Sequence, residues 1–304
     1  MPVLPLLALA LASPALATPA ITHFIVLMME NRAFDHFLGH LKSTNPAIDG
    51  LDGSQGNLLH PGSPPSPSNP FFPANTHYSV DGGPVDPCHS FSCITQQIYG
   101  FPKPVGNRTA ASPMSGFASI APGGLPSVPF VMSAFNASDL PILSTLATEF
   151  AVFDQYHASA PTCTNPNREF LMSGTSHGWL DNSFPPGGFP QQTHFAYLGE
   201  RNVSWKIYYG DDPWMAPAFA DLRTPASLAR VQQMERFFWD LGNGTLPAFS
   251  LIQPRMATSA AGVSDWQHPD NSVAAGEALI RDVYTALRAS SAWEESALFI
   301  TCEW

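Results

Sequence analysis

The sequence predicts an α/β fold in which a mostly parallel sheet is covered by helices on both faces. Three observations lead to this prediction: a continuous apolar run at residues 24–29, an alternation of strand-like and helix-like segments, and a closing apolar run at 297–301. The chain has 304 residues, of which 44% are hydrophobic and 12% are charged. This composition is typical of a globular protein with one substantial core.

The first predicted element is a buried strand. The run at 24–29 is too short for an isolated helix and suits a strand covered on both faces. It ends at Glu30 and Asn31, and polar residues at the carboxyl end of a buried strand are where open α/β sheets build their sites. Phe34, Phe37 and Leu38 then follow at helical spacing.

A loop-rich insertion is predicted from about residue 45 to residue 129. Pro, Gly and Ser dominate it, most densely in "PGSPPSPSNPFFP" at 61–73, which cannot hold a ladder of hydrogen bonds. A short helix is expected after His89. Cys88 and Cys93 could close a small disulfide loop, and zinc binding by this pair is the weaker alternative.

The second half of the chain alternates between predicted helices and strands. Helices are expected around Ile142 and Leu146 and, capped by Asp270 and Asn271, along the apolar positions between Val273 and Leu287. Strands are predicted at 150–153, 203–209, 247–252 and 296–304.

The stretch "SAPTCTNPNREFLMSGTSHG" at 159–178 predicts a helix that begins at Pro166, with Asn165 as its cap and Thr164 at its mouth. The start of a helix attracts anions, so this position suits a phosphate group. Thr164 could attack such a group, while Asn167 and Arg168 hydrogen-bond its oxygens. The alternative is that Thr164 only caps the helix and Arg168 only forms an ion pair.

Further candidate residues carry metal-binding or proton-transfer chemistry. Glu30 and Asn31 supply oxygen ligands of the kind that bind hard cations, although an exposed loop is the alternative for this dipeptide. His89, His177 and His268 are candidates for phosphate contact or for proton transfer to a leaving alcohol. The sequence contains ten histidines, so most of them are ordinary surface or core residues.

The net charge and the amino terminus indicate an exported protein that does not bind nucleic acid. The formal charge is −11, with 24 acidic and 13 basic residues, which disfavours binding to a phosphate backbone. Residues 1–20 resemble a signal peptide, and a buried amino-terminal strand is the alternative. No other apolar run approaches the length of a membrane span. Four N-glycosylation sequons, at Asn107, Asn136, Asn202 and Asn243, fit secretion.

Five segments in order resemble the phosphoesterase family that contains non-haemolytic, phosphatidylcholine-preferring phospholipases C and related acid phosphatases. These segments are "HFIVLMMENRAFDHFLG", "DPCHSF", "FAVFDQYHASAPTCTNPNREFLMSGTSHG", "HPDNSV" and "ALFIT". The resemblance runs from about residue 21 to residue 301. It implies an alkaline-phosphatase-like, three-layer α/β/α sandwich in a single phosphoesterase domain at 21–304, and metal-dependent hydrolysis of phosphoric esters.

The resemblance also implies roles for individual residues. Thr164 would be the nucleophile, Asn167 would contact phosphate, and His89 and His268 would be catalytic histidines. The metal ligands would be Glu30, Asn31 and Thr164, together with Glu303. The metal is expected to be a divalent ion of unknown identity, and the substrate a phosphoester or a phospholipid.

The last segment departs from the family pattern. Relatives continue as ITYDEHGG, whereas "FITCEW" places Glu303 at the first acid of that motif and Trp304 at the second. The domain is therefore expected to be incomplete, with part of the metal site missing or altered. The favoured interpretation is a truncated gene or splice form of a full enzyme. An inactive protein and a fragment that relies on another chain are the alternatives.

The predicted function is that of a secreted phospholipase C or acid phosphatase that uses metal-assisted attack by Thr164. The alternative is a catalytically inactive secreted glycoprotein that keeps the fold. Phe71, Phe72 and Phe91 could approach lipid surfaces transiently, although ordinary core packing is the simpler expectation for aromatic residues. The sequence leaves the oligomeric state open.

Overall fold

The computed structural model describes residues 20–74, 76–77, 85–100, 112–260, 262–269 and 271–302. Several predictions fall on residues outside these ranges: the signal peptide except for its last residue, the sequon at Asn107, the helix cap at Asp270, and the candidate ligand Glu303 with its neighbour Trp304.

A five-stranded parallel sheet forms the centre of the fold, which confirms the predicted α/β class. Its strands run in the spatial order β7-β6-β8-β1-β9, and all pairings between neighbours are parallel. The strands of the described chain are β1 His23–Met29, β2 Gly56–Leu58, β3 Phe71–Pro73, β4 Thr76–His77, β5 Ser133–Ala134, β6 Trp205–Tyr209, β7 Val231–Gln233, β8 Phe249–Gln253 and β9 Ser296–Cys302.

Helices cover the sheet on both faces. The helices of the described chain are α1 Phe34–Leu38, α2 Phe91–Tyr99, α3 Val128–Val131, α4 Pro141–Glu149, α5 Thr164–Ser173, α6 His194–Glu200, α7 Pro225–Leu228, α8 Glu235–Gly242 and α9 Val273–Ala289. Short 3-10 turns occur between them. No described helix is both long and apolar enough to cross a lipid bilayer.

Strand β1 packs against helices on both faces of the sheet and so links the three layers of the fold. Ile25, Leu27 and Met29 pack with α8 and α9 on one face, and Val26 and Met28 pack with α5 and α6 on the other. All five side chains are buried. Since full burial of such a side chain contributes about 1.5–3 kcal/mol, β1 alone anchors much of the core. The continuous apolar run in the sequence reflects this two-sided burial.

The strand predicted at 150–153 is wrong. These residues form no strand, and the chain turns at 154–155, next to the outer edge of β9. Phe150 and Phe153 are exposed, and the Phe153 ring lies 5.9 Å from the ring of Phe299 on β9. Side-chain contacts therefore replace the expected backbone pairing. A largely apolar cavity of about 500 Å³ lies between this segment, β9 and α9.

The region at 45–129 contains more ordered structure than a plain loop. β2 and β3 pair antiparallel, α2 follows Ser90 as predicted, and Ala118, Val128 and Met132 form a small satellite core. A disulfide joins Cys88 to Cys93, as one of the two sequence alternatives predicts.

The aromatic side chains of this region divide into two groups. Phe72 packs against the satellite core, as the core-packing alternative expects. Phe71 and Phe91 are exposed. The region therefore presents aromatic surface to solvent.

Candidate active site

Glu30 is buried at the carboxyl end of β1, where the sheet predicts a site. Its side chain is 1% exposed, and its backbone N–H donates to the carbonyl of Trp266 over 2.9 Å. Arg32 donates from Nε to the carbonyl of Gln267 over 2.8 Å. These two bonds tie the end of β1 to the loop that carries His268.

Thr164 and Arg168 both contact the carboxylate of Glu30. Thr164 Oγ1 donates to Glu30 Oε1 over 2.6 Å, and Arg168 Nη2 donates to Glu30 Oε2 over 2.6 Å. Thr164 and Arg168 lie one helical turn apart on α5, so their side chains project from the same face. The three side chains are almost fully buried. The guanidinium therefore balances the negative charge of the carboxylate that accepts the hydrogen bond of the threonine hydroxyl.

The start of α5 differs from the predicted start. The helix begins at Thr164 with Cys163 as its N-cap, and Asn165 is not a capping residue. The backbone N–H of Asn165 donates to Asn182 Oδ1, and its side chain donates to the Asn182 carbonyl and accepts from Trp214 Nε1. Tertiary contacts therefore take the asparagine away from the local capping role that its sequence position suggests.

Asn167 holds the loop that precedes Thr164. Its Oδ1 accepts from the backbone N–H of Ala160, and its Nδ2 donates to the carbonyls of Ala160, Thr162 and Cys163 over 3.0–3.2 Å. Both ends of the amide are engaged with the loop, so direct phosphate contact would require Asn167 to leave these bonds. Phosphate contact by Asn167 stays a prediction.

The two predicted catalytic histidines, His89 and His268, lie close together beside Asn31. The His89 and His268 rings lie 5.8 Å apart, and Asn31 Nδ2 donates to His268 Nε2 over 3.1 Å. The Asp86 carboxylate lies 3.5 Å from His89 Nδ1 and 3.9 Å from His268 Nε2. The structure thus assembles a compact group of one carboxylate and two imidazoles beside Asn31. His177 lies exposed on the loop after α5.

The predicted metal ligands fall into two separate groups. Glu30 and Thr164 are in direct contact, whereas the side chain of Asn31 contacts His268, and Glu303 lies outside the described residues. Hard cations bind several oxygen ligands at once. The Glu30 carboxylate already contacts a hydroxyl donor and a guanidinium, so the Glu30 and Thr164 oxygens alone do not fit such an ion in this structure.

Sequence reasoning missed two residues, Asp86 in this site and the buried Glu169 that follows Arg168 on α5. Asp86 stands in the segment "DPCHSF", and its spacing of three residues from His89 is the signal that could have identified it. Glu169 on α5 is fully buried, and burial raises its pKa to about 7, against a side-chain bond from Gln191 that lowers it. Glu169 lies within a predicted helix, and nothing in the sequence indicates that its side chain is buried.

Comparison with known proteins identifies the family. The chain is 40% identical over 285 residues to non-specific phospholipase C1 of Arabidopsis thaliana, covering 91% of this chain and 51% of that protein. It is 34% identical over 284 residues to non-specific phospholipase C6 of the same plant, covering 91% and 52%. It is 28% identical over 318 residues to phospholipase C A of Mycobacterium tuberculosis (strain ATCC 25618 / H37Rv), covering 92% and 57%.

The chain therefore spans about half the length of the curated relatives it matches. The model of the Phosphoesterase family matches residues 21–303 of this chain. On this match, and with a parallel sheet that places Glu30 beside Thr164, the chain belongs to the Phosphoesterase family.

Proposed function

We propose that this chain is a phosphoric-ester hydrolase in which Thr164 Oγ1 attacks the phosphorus atom. The observation that carries the proposal is the buried hydrogen bond from Thr164 to Glu30. A hydroxyl is a weak nucleophile at its ordinary proton affinity and is activated by an adjacent base. We assign the role of that base to Glu30. Membership of the Phosphoesterase family supports the reaction class.

The proposed reaction has two steps. Thr164 Oγ1 forms a bond to phosphorus, its proton passes to Glu30 Oε1, and the bond from phosphorus to the alcohol oxygen breaks. The departing oxygen needs a proton or a positive charge, and His89 and His268 supply one or the other. Water then attacks the phosphothreonine, and its proton returns, directly or through solvent, to the histidine that protonated the alcohol. The phosphate leaves, and Thr164 regains its proton from Glu30.

Positive charge around the attacked phosphate comes from α5 and from Arg168. The amino-terminal end of α5 carries the positive end of the helix dipole, and Arg168 lies one turn after Thr164. We assign phosphate binding to Arg168 on this basis. A divalent metal ion bound nearby would add further positive charge to the phosphate oxygens.

The proposed substrate is a phospholipid. The relatives in Arabidopsis and Mycobacterium tuberculosis are named phospholipases C, and this supports a lipid phosphoester over a water-soluble monoester. Phe91 is exposed at the first turn of α2, two residues after His89, and is suited to transient contact with a lipid surface. Phosphatidylcholine vesicles and p-nitrophenyl phosphate, compared as substrates for the same chain, separate the two classes.

We also propose that the chain is a secreted glycoprotein. The amino-terminal sequence supports export, and the sequon residues Asn136, Asn202 and Asn243 are exposed, as glycan attachment requires. A glycosidase-sensitive shift in the mass of the secreted chain is the expected result.

The test of the mechanism compares the wild-type chain with Thr164→Ala and Thr164→Ser. We expect Thr164→Ala to lose turnover by about 10³-fold or more, because the nucleophile is removed, and Thr164→Ser to keep part of it. Thr145→Ala, at an exposed position on α4, is the matched control and should keep full activity. Wild-type activity in Thr164→Ala would remove Thr164 from the mechanism. No turnover by a folded wild-type chain would favour the inactive glycoprotein.

A further inference from the structure

Asp86, His89 and His268 have the chemistry and spacing of a metal site. Each offers one ligand atom, and these three atoms lie within 4.8 Å of one another. In a tetrahedral zinc site with bonds to nitrogen and oxygen of about 2.0–2.2 Å, two ligand atoms lie about 3.3–3.6 Å apart. Asp86 Oδ1 lies 3.9 Å from His268 Nε2, and the Asp86 side chain is 38% exposed, so side-chain movements of about 1 Å would close the group around an ion.

Hydrogen bonds indicate which ring nitrogen is unprotonated in each of the two imidazoles. The carbonyl of Pro87 accepts a hydrogen bond from His89 Nδ1 over 2.8 Å, which leaves the lone pair on Nε2 in the neutral ring. Asn31 donates to Nε2 of His268, so that nitrogen is unprotonated as well, and a bound ion would take the place of this Asn31 hydrogen bond. A carbonyl that fixes the tautomer of a histidine is a recurrent second-layer contact in metal sites.

The loops that carry these ligands are held in place by contacts on both sides. The Cys88–Cys93 disulfide flanks His89, and Gln97 Nε2 donates to the Cys88 carbonyl over 2.8 Å. The Trp266 ring stacks on His268 with the ring centres 4.7 Å apart. These contacts therefore hold His89 and His268 in fixed positions.

We propose that Asp86, His89 and His268 bind a divalent transition-metal ion of the Zn²⁺ type, with Asn31 beside it. Imidazole ligands favour Zn²⁺ and similar ions over Ca²⁺ and Mg²⁺, which prefer all-oxygen sets. This location differs from the one that the family resemblance implies, because Arg168 and Thr164 occupy the Glu30 carboxylate. The role of the ion in turnover rests on the proposed function. Binding of the ion does not, because it is measured without substrate.

A metal ion at this position would change the role of the two histidines. As ligands they would act on the departing oxygen through the positive charge of the ion, rather than by giving up a proton of their own. Asn31 follows Glu30 directly in the chain, so the ion would lie next to the Thr164 and Glu30 pair. The arrangement would place positive charge on the side of the phosphate that Arg168 does not reach.

The test measures zinc on the full chain after exhaustive dialysis, by elemental analysis and by titration calorimetry. We expect one Zn²⁺ per chain, and Asp86→Asn and His89→Ala to weaken binding by about tenfold or more, since even second-layer changes cost about 10–100-fold. His157→Ala, an exposed histidine outside the group, is the matched control and should bind zinc as the wild type does. Both test positions are at least partly exposed, so folding should be retained.

Cobalt provides a second readout that does not depend on affinity. Visible absorption of the Co²⁺-loaded chain reports nitrogen ligands, and His89→Ala should change that spectrum while Thr164→Ala leaves it unchanged. Zinc binding that survives both Asp86→Asn and His89→Ala would overturn the proposal. Zinc binding that is lost in Thr164→Ala and kept in Asp86→Asn would also overturn it, and would place the ion on the Glu30 oxygens.

Discussion

At the residue scale, the central feature is one buried carboxylate shared between a hydroxyl and a guanidinium. Glu30 accepts hydrogen bonds from Thr164 and Arg168, and all three side chains are buried. A buried charge is tolerated only when a partner and hydrogen bonds compensate it. The same contacts that suit Glu30 to its proposed role as a base therefore also make its charge acceptable in the core.

Removing Arg168 should destabilise the fold. Arg168→Ala leaves the Glu30 carboxylate buried without its cation, and breaking such a pair costs about 3–5 kcal/mol of unfolding free energy. Chemical denaturation followed by circular dichroism measures the change. Arg281→Ala, which removes an exposed ion pair with Asp282, is the control and should change stability by less than about 0.5 kcal/mol.

The double variant Glu30→Gln with Arg168→Met separates charge from packing. It removes both charges at once and should recover a large part of the stability that Arg168→Ala loses. A loss of under about 1 kcal/mol in Arg168→Ala alone would contradict the account, because the buried carboxylate would then need no cation.

Glu169 should make stability depend on pH. Burial raises its folded-state pKa from the ordinary value of 4.5 to about 7, and among the described residues its Oε1 has no hydrogen-bond partner. Between these two values the folded chain holds a proton that the unfolded chain has lost, so raising the pH favours unfolding. Stability should therefore fall as pH rises from about 4.5 to about 7 and then level off.

Glu169→Gln should abolish this dependence, since a neutral amide of the same shape does not titrate. The difference in thermal midpoint between the wild type and Glu169→Gln, measured across this pH window, isolates the contribution of Glu169. The two midpoints should run parallel above and below the window. A difference that stays constant from pH 4 to pH 8 would show that the carboxyl does not gain a proton on folding.

At the element scale, the site depends on how α5 meets the carboxyl end of β1. β1 brings Glu30, α5 brings Thr164 and Arg168, and the amide of Asn167 fixes the loop between 160 and 163. The carboxyl end of a strand and the start of a helix thus each supply part of the site. The precision of the Thr164 position comes from the Asn167 bonds, which involve only backbone partners.

Asn167→Ala should loosen this loop and lower turnover without changing the reaction class. Backbone groups of residues 160, 162 and 163 would lose their partners, and each buried unpaired group costs about 1–3 kcal/mol. Amide exchange at Ala160, followed by mass spectrometry, should accelerate. Asn165→Ala is the comparison, because it contacts Asn182 rather than this loop. Unchanged exchange at Ala160 in Asn167→Ala would contradict the bracing role.

At the scale of the whole molecule, the sequence predicts the layered α/β architecture better than it predicts individual side-chain contacts. A continuous apolar run such as 24–29 has few solutions other than a two-sided buried strand, so β1 and the parallel class follow directly. The similar run at 150–153 lies beside β9, the last strand of the described sheet, but forms no backbone pairing with it. The Phe153 ring contacts Phe299 instead, and the local sequence does not indicate whether the segment will pair with β9.

The composition of the candidate site is partly predictable for the same reason. The sequence motifs predict Glu30, Thr164 and Arg168 in one site. They do not predict that one Glu30 oxygen accepts from Thr164 and the other from Arg168, because this depends on how α5 packs against β1. The approach of Asp86 to His268 joins two segments separated by 182 positions, and only tertiary structure brings them together.

The central claim is that phosphorus passes through Thr164. The most direct measurement is an acid quench of the chain during turnover of phosphatidylcholine or p-nitrophenyl phosphate, followed by mapping of phosphopeptides by mass spectrometry. The account predicts a phosphate on Thr164 that disappears when the substrate is exhausted and is absent from Thr164→Ala. Turnover with no phosphate on Thr164, or with phosphate on another residue, would contradict it.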